Sequence, residues 1–141
     1  MSVPSYDAVE AGQHLRDVTL PITRADLVRY AGASGDFNPI HWSERTALAV
    51  GLPDVIAHGM LTMAKAANLL TDWVGDPARI LEYGTRFGQP VEVPDSDDPS
   101  ELVVTAKIGK KLEDKKVRID IDARAGDQKV LSMARAIVKL D

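Results

Sequence analysis

Three histidines, at positions 14, 41 and 58, and no cysteine make up the chain's stock of neutral-pH proton carriers and thiols. Histidine is the side chain whose ordinary titration lies nearest neutrality, so its neighbours decide what each one can do. His41 has a carboxylate, Asp36, five positions before it, with Asn38 and Pro39 between them. Pro39 disfavours helical geometry at Asn38, so the segment reads as a turn able to aim both side chains at one cavity. A carboxylate and an imidazole at one cavity can move two protons at neutral pH. On spacing alone, a capping carboxylate and a surface histidine are the plainer reading. His58-Gly59 carries a second signal, because it opens an apolar helical segment. The first N–H groups of a helix lack internal partners, and the helix dipole adds positive potential there. Glycine leaves room for a ligand oxygen, so a carbonyl gaining negative charge could be stabilised as in an oxyanion hole. The alternative is a packing glycine beside a cap-region histidine. His14 lies in a polar stretch and is expected on the surface. The histidine spacings match no metal motif, so no metal site is expected.

The elements that must hold these residues divide the chain by period. The first half reads helical with irregular connections, and the last 40 or so residues read as strands, a segregation typical of α+β architecture. Val18 to Ile22 reads as a short strand broken by Pro21. Thr23 reads as an N-cap with Asp26 three residues on, opening a short helix that ends near Gly32. Ser43 is a candidate cap for another short helix through Ala49, stopped by Gly51 and Pro53. From Met60 to Val74 apolar residues surround most of a helix, the pattern of a buried one, and Gly75 and Pro77 end it. Leu81 to Phe87 is an expected strand, and the acidic run from Pro94 to Pro99 an expected solvated loop. Leu102 to Ile108, Val117 to Ala125 and Val130 to Leu140 alternate as half-buried strands, with a turn at Gly126-Asp127. One buried helix beside an antiparallel sheet implies a sheet wrapped around that helix, the hot-dog arrangement.

The chain has 141 residues, 45% hydrophobic and 27% charged, which suits one globular domain over 1–141. Lys plus Arg is 17 against 21 Asp plus Glu, a net charge of −4, which argues against a nucleic-acid partner. No apolar run approaches the roughly 18 residues of a membrane span. The N-terminal residues show no basic region followed by an apolar stretch, so no secretory signal and a cytoplasmic location are expected. Lys107, Lys110, Lys111, Lys115, Lys116 and Arg118 form a basic stretch that could attract an acidic carrier protein, or could simply be a solvated hairpin face.

Taken together the motifs are specific. Tyr30, the run Ser34-Gly35-Asp36-Phe37-Asn38-Pro39-Ile40-His41, and Ala47 resemble the signature of the MaoC-like (R)-specific hydratase/dehydratase family. Ala57-His58-Gly59-Met60 resembles that family's helix entry, and Trp73 to Pro77, Glu82-Tyr83 and Arg86-Phe87 extend the likeness over nearly the whole chain. Within the family the chain looks most like the B subunits of mycolic-acid-type (3R)-hydroxyacyl-ACP dehydratases. Ala33 departs from the larger aliphatic or glycine usual there, a change in packing and not in chemistry. The resemblance implies reversible dehydration of (3R)-3-hydroxyacyl thioesters of ACP or CoA to trans-2-enoyl thioesters, without cofactor. It implies Asp36 and His41 as the catalytic pair, Asn38 orienting turn and substrate, and the Gly59 N–H donating to the thioester carbonyl. Ser43 is either at the edge of the site or only a helix cap. A dimer is implied, either of two copies or with a paired A- or C-type hot-dog subunit that supplies part of the acyl channel. Which of Asp36 and His41 serves the C2 proton stays open. The rival readings are a stand-alone homodimeric enoyl-CoA hydratase, a non-catalytic scaffold subunit, and a thioesterase. The last needs a carboxylate on the central helix, where only Asp72 stands, near the far end.

Overall fold

The computed structural model describes residues 2–141. Five antiparallel strands form one sheet in the order β1-β3-β4-β5-β2. They are β1 (His14–Ile22), β2 (Ile80–Phe87), β3 (Ser100–Lys111), β4 (Lys116–Ala125) and β5 (Gln128–Lys139). Three α-helices, α1 (Arg24–Ser34), α2 (Glu44–Ala49) and α3 (Gly59–Val74), lie between the two edge strands in sequence. This is the hot-dog arrangement: the sheet's apolar face closes around α3. Strict alternation makes that face. Val117, Ile119, Ile121 and Ala123 of β4 are buried in one cluster with Leu102, Val104 and Ile108 of β3 and with Ala66, Leu69 and Leu70 of α3. Burying such side chains contributes roughly 1.5–3 kcal/mol each before entropy is counted.

Several boundaries differ from the sequence reading, each for a local reason. β1 begins at His14, not Val18, and runs through Pro21. It is an edge strand paired only with β3, so the missing N–H of Pro21 can face away from the ladder. Helix α1 passes Gly32 and ends at Ser34, because Gly35, at φ 77°, takes the left-handed position and sends its N–H to Ala31 O. At its start the Thr23–Asp26 capping box is complete in both directions. β3 extends past Leu102 and Ile108 at both ends, whereas β5 starts earlier, at Gln128, and stops at Lys139, before Leu140. β5 bulges where its register with β2 and β4 shifts, and Met133 there adopts φ 50°; such bulges add local twist, which helps a sheet curl.

Helix α3 is buried along one side only. Thr62, Ala66, Leu69, Leu70 and Val74 face the sheet, whereas Met60 is exposed, so one chain does not cover the full apolar circumference read from the sequence. The acidic run 94–99 is exposed, as expected. Three of the six residues of the basic stretch are engaged within the chain. Lys111 Nζ donates to Tyr6 O and Val9 O and sits over the Tyr6 ring, Lys116 pairs with Asp114, and Arg118 makes a two-bonded pair with Asp120. No helix among the described residues is long and apolar enough to cross a membrane.

Candidate active site

The turn between α1 and α2 is built from its own side chains. Ser34 Oγ accepts from Asp36 N, Asp36 Oδ1 accepts from Asn38 N, and Asn38 Oδ1 accepts from Ile40 N, each at 3.1–3.2 Å. Asn38 thereby caps the 3-10 turn Pro39–His41. Trp42 Nε1 donates back to Phe37 O at 3.0 Å and closes the loop. These short-range bonds suit Ser, Asp and Asn, whose side chains reach the backbone two residues on. Asn38 thus shapes the turn. Ser43 accepts from Thr46 N and caps α2, and it does not line the cavity described below, so the capping alternative describes its place.

The turn carries His41 inward. His41 is 8% exposed, and its Nδ1 lies 2.7 Å from Ile56 O. A carbonyl only accepts, so Nδ1 is the donor, and in the neutral imidazole Nε2 carries the lone pair. That Nε2 stands 3.9 Å from Asp36 Oδ2, whose side chain is 52% exposed. Two acceptors thus face each other with no direct hydrogen bond between them, a spacing that suits a donor placed between. The residues that hold Ile56 are themselves tied down: Ile56 N donates to Ile40 O, Ala57 N to Val91 O, and Val93 N to Val55 O. Arg24 locks this region from below, donating to Val93 O and pairing with Glu44 at 2.9 Å and Asp54 at 3.0 Å.

His58 is the residue that sequence reasoning underrated. It is 2% exposed, and its ring stacks on His41 with centroids 3.8 Å apart and planes 24° apart. Tyr30 meets its edge at 4.8 Å. His58 Nε2 donates to Asp36 O at 3.2 Å, so one side chain touches both members of the pair. Its Nδ1 is buried with no partner. Burial, and secondarily the neighbouring His41, push the imidazole below its ordinary titration range and keep it neutral, outweighing the opposing pull of Asp36. The signals available in the sequence were its place at the helix entry and the matching Tyr30. His14 is exposed and pairs with Asp17, away from the site, as expected.

Asp36, His41 and His58 bring potential metal ligands within 4.8 Å of one another. Their orientation opposes chelation. Imidazole lone pairs lie in the ring planes, and two nearly parallel stacked rings do not aim theirs at one point. His41 Nδ1 and His58 Nε2 are also committed to backbone carbonyls.

A cavity of about 320 Å³ runs from this site toward the sheet, with His41, Gly59, Thr62, Phe87, Val130 and Leu131 among its walls. Gly59 is the first residue of α3, and no side chain caps that end. The first backbone bond of the helix is Thr62 N to His58 O, so the N–H of Gly59 has no acceptor within the helix. Gly59 also has a packing role. A β-carbon there would lie 3.0–3.2 Å from three ring carbons of Phe87. The apolar cavity, the open N–H and the facing acceptors together can bind an acyl group, polarise its carbonyl and move protons beside it.

Comparisons with known proteins show the family and the fold. The sequence profile of the MaoC like domain matches residues 7–125. The chain is 43% identical over 75 residues to 3-hydroxyacyl-thioester dehydratase X of Mycobacterium tuberculosis, covering 53% of this chain and 26% of that protein. It is 30% identical over 121 residues to 3-hydroxybutyryl-CoA dehydratase of Methylorubrum extorquens, covering 84% of this chain and 73% of that one. A solved MaoC-like dehydratase superposes with a TM-score of 0.95 at 36% identity over 99% of this chain and 43% of its own. The chain therefore spans about a quarter of the mycobacterial relative's length, and less than half of that solved chain.

Proposed function

The chain belongs to the MaoC-like domain family, and from that premise we propose that it is a hydro-lyase acting on (3R)-3-hydroxyacyl thioesters of CoA or ACP, giving trans-2-enoyl thioesters in fatty acid elongation. The observation that carries this reading is the pair of facing acceptors, His41 Nε2 and Asp36 Oδ2, 3.9 Å apart beside an apolar cavity and the open helix end at Gly59. In this reading the thioester carbonyl accepts from the Gly59 N–H. That stabilises enolate-like charge and makes the C2 proton more acidic. His41 takes the C2 proton through Nε2, the nitrogen that the bond to Ile56 O leaves basic. Asp36, entering this step as the carboxylic acid, passes its proton to the departing 3-hydroxyl, water leaves, and the proton on His41 then returns to Asp36. In reverse, Asp36 as the carboxylate takes one proton of a water whose oxygen attacks C3, and protonated His41 returns a proton to C2. The chemistry needs no cofactor.

We propose further that the active species pairs with a second hot-dog unit, either another copy or a different subunit that supplies more of the acyl channel. Supporting this are the large apolar side chains left exposed around the site and on the helices: Phe37, Trp42, Met60, Val28 and Leu48. Patches of this kind mark association surfaces. Light scattering should give a dimer mass, and a fully active monomer would remove this part.

The test of the reaction is direct. The chain, alone and with candidate hot-dog partners, is assayed for hydration of crotonyl-CoA and for dehydration of (3R)- and (3S)-3-hydroxybutyryl-CoA. The proposal expects turnover of the 3R isomer, lost in Asp36→Asn. Activity that appears only with a partner and is unchanged in Asp36→Asn and His41→Ala would leave only the scaffold reading.

A further inference from the structure

The cavity beside His41 has a mouth and a floor. Val91, Val130 and Leu131 are buried and form the floor, whereas Phe87, Gly88 and Gln89 line the cavity and are exposed, which places them at the mouth. Phe87, 54% exposed, is the one large apolar side chain among those three. The backbone there is pinned. Phe87 pairs with Leu131 at the end of β2, Gly88 N donates to Val130 O at 2.9 Å, and Gln89 N donates to Lys129 O at 3.0 Å. Gly88 cannot be replaced without moving the strand, since a β-carbon there would meet Lys129 O at 2.6 Å. The Phe87 ring is the large apolar group left on this pinned backbone at the mouth. It leans on Gly59, filling the space that a side chain at Gly59 would occupy.

We propose that Phe87 is a specificity-determining gate, whose ring bars acyl groups that are bulky next to the thioester carbonyl. This rests on the reading of the site as one for acyl thioesters. With the carbonyl at the Gly59 N–H, the acyl C2 lies beside Gly59, and the ring that packs on Gly59 borders it. A straight chain passes along the ring into the apolar floor. A substituent on C2 points at the ring and enters only if the ring swings toward solvent. An exposed aromatic side chain on a fixed backbone can make that movement by χ rotation alone, without any change in the strand.

The test uses saturated, unreactive thioesters, so that binding is read apart from reaction. Affinities of butyryl-CoA and 2-methylbutyryl-CoA are measured by calorimetry for the unmodified chain, Phe87→Ala and Phe87→Leu, with thermal melts confirming that each variant folds. Phe87→Leu keeps an apolar side chain on the strand and covers the case in which Phe87→Ala is unstable. The expected result is a preference for the straight chain in the unmodified protein. That preference should shrink about tenfold or more in Phe87→Ala, the scale on which one added or missing methylene is discriminated in an apolar pocket, and shrink less in Phe87→Leu. Ratios unchanged in both variants overturn the gate, as does failure of the unmodified chain to bind either thioester. Turnover of 3-hydroxybutyryl-CoA is measured in parallel. Turnover with unchanged ratios sinks the gate and keeps the reaction. A changed ratio without turnover, by the chain alone and with candidate hot-dog partners, keeps the gate and sinks the hydro-lyase reading.

Discussion

Replacing His58 isolates how the turn that carries the proposed pair is held. His58→Leu removes the donor to Asp36 O, the stack on His41 and the unpartnered buried Nδ1. The lost hydrogen bond is worth about 0.5–1.5 kcal/mol net, toward the lower end because Asp36 sits in an exposed turn where water can replace the donor. The lost ring stack costs about 0.5–1.5 kcal/mol more, on the scale of aromatic pairs. Against these, deleting a buried group without a partner relieves about 1–3 kcal/mol. The terms nearly cancel, so the variant should fold with stability within about 2 kcal/mol of the parent. Activity should not survive as well. Both members of the proposed pair lose their common support, and a displacement near 1 Å can cost about a hundredfold. A drop in kcat/KM for (3R)-3-hydroxybutyryl-CoA of about that size is expected in His58→Leu. His58→Gln, whose amide can again donate to Asp36 O, should recover most of it. The pH dependence gives a second readout. The folded-state imidazole titrates below its ordinary value of 6.5, so the unfolded chain binds the extra proton first on acidification. Stability is therefore fully present above pH 6.5 and falls as pH drops below it, and this slope should flatten in His58→Leu. A folded His58→Leu protein with turnover within about threefold of the parent would refute the positioning role.

Asp36→Asn and His41→Ala should each lower turnover by about 10²- to 10⁴-fold, and the double variant should be little worse than the worse single one. Their stabilities should differ: Asp36 is exposed, whereas His41→Ala strands the Ile56 carbonyl and opens a hole beneath it, costing about 1–3 kcal/mol by denaturant titration. If His41 serves C2, Asp36→Asn should still exchange the C2 proton of a bound thioester with deuterated water, and His41→Ala should not; exchange lost only in the Asp36 variant reverses the assignment. Arg24→Lys should lower the melting temperature nearly as much as Arg24→Met, because only the planar guanidinium can serve Val93 O, Glu44 and Asp54 together; full rescue by lysine would contradict that. Tyr83 donates to Met63 O, and burial raises its hydroxyl to about 12, so stability should be complete below pH 10 and decline as pH rises toward 12. An ultraviolet titration should show a late-ionising tyrosine that is missing in Tyr83→Phe.

Local chemistry made much of this protein legible from its sequence. The alternation of β4 depends on a period of two, and the arrest of α3 at Gly75 on a left-handed position that glycine occupies readily, so both follow from neighbouring residues alone. The Thr23–Asp26 box and the turn at Asn38-Pro39 are equally local. The candidate pair was legible as residue types on one turn. The separation of those two groups, and the tautomer that leaves His41 Nε2 basic, depend on Ile56, fifteen residues on, and on the segment at 91–93 that holds it. No periodicity encodes such a contact. The role of His58 was hidden for the same reason: beside Gly59 it reads as a cap, and only folding stacks it on His41 and bonds it to Asp36. The exposed side of α3 and the ring over Gly59 were likewise decided by tertiary structure. Apolar composition sets how much surface a helix would bury, but the reach of one sheet sets how much it can, and Phe87 meets Gly59 only because β2 closes the sheet beside the helix entry.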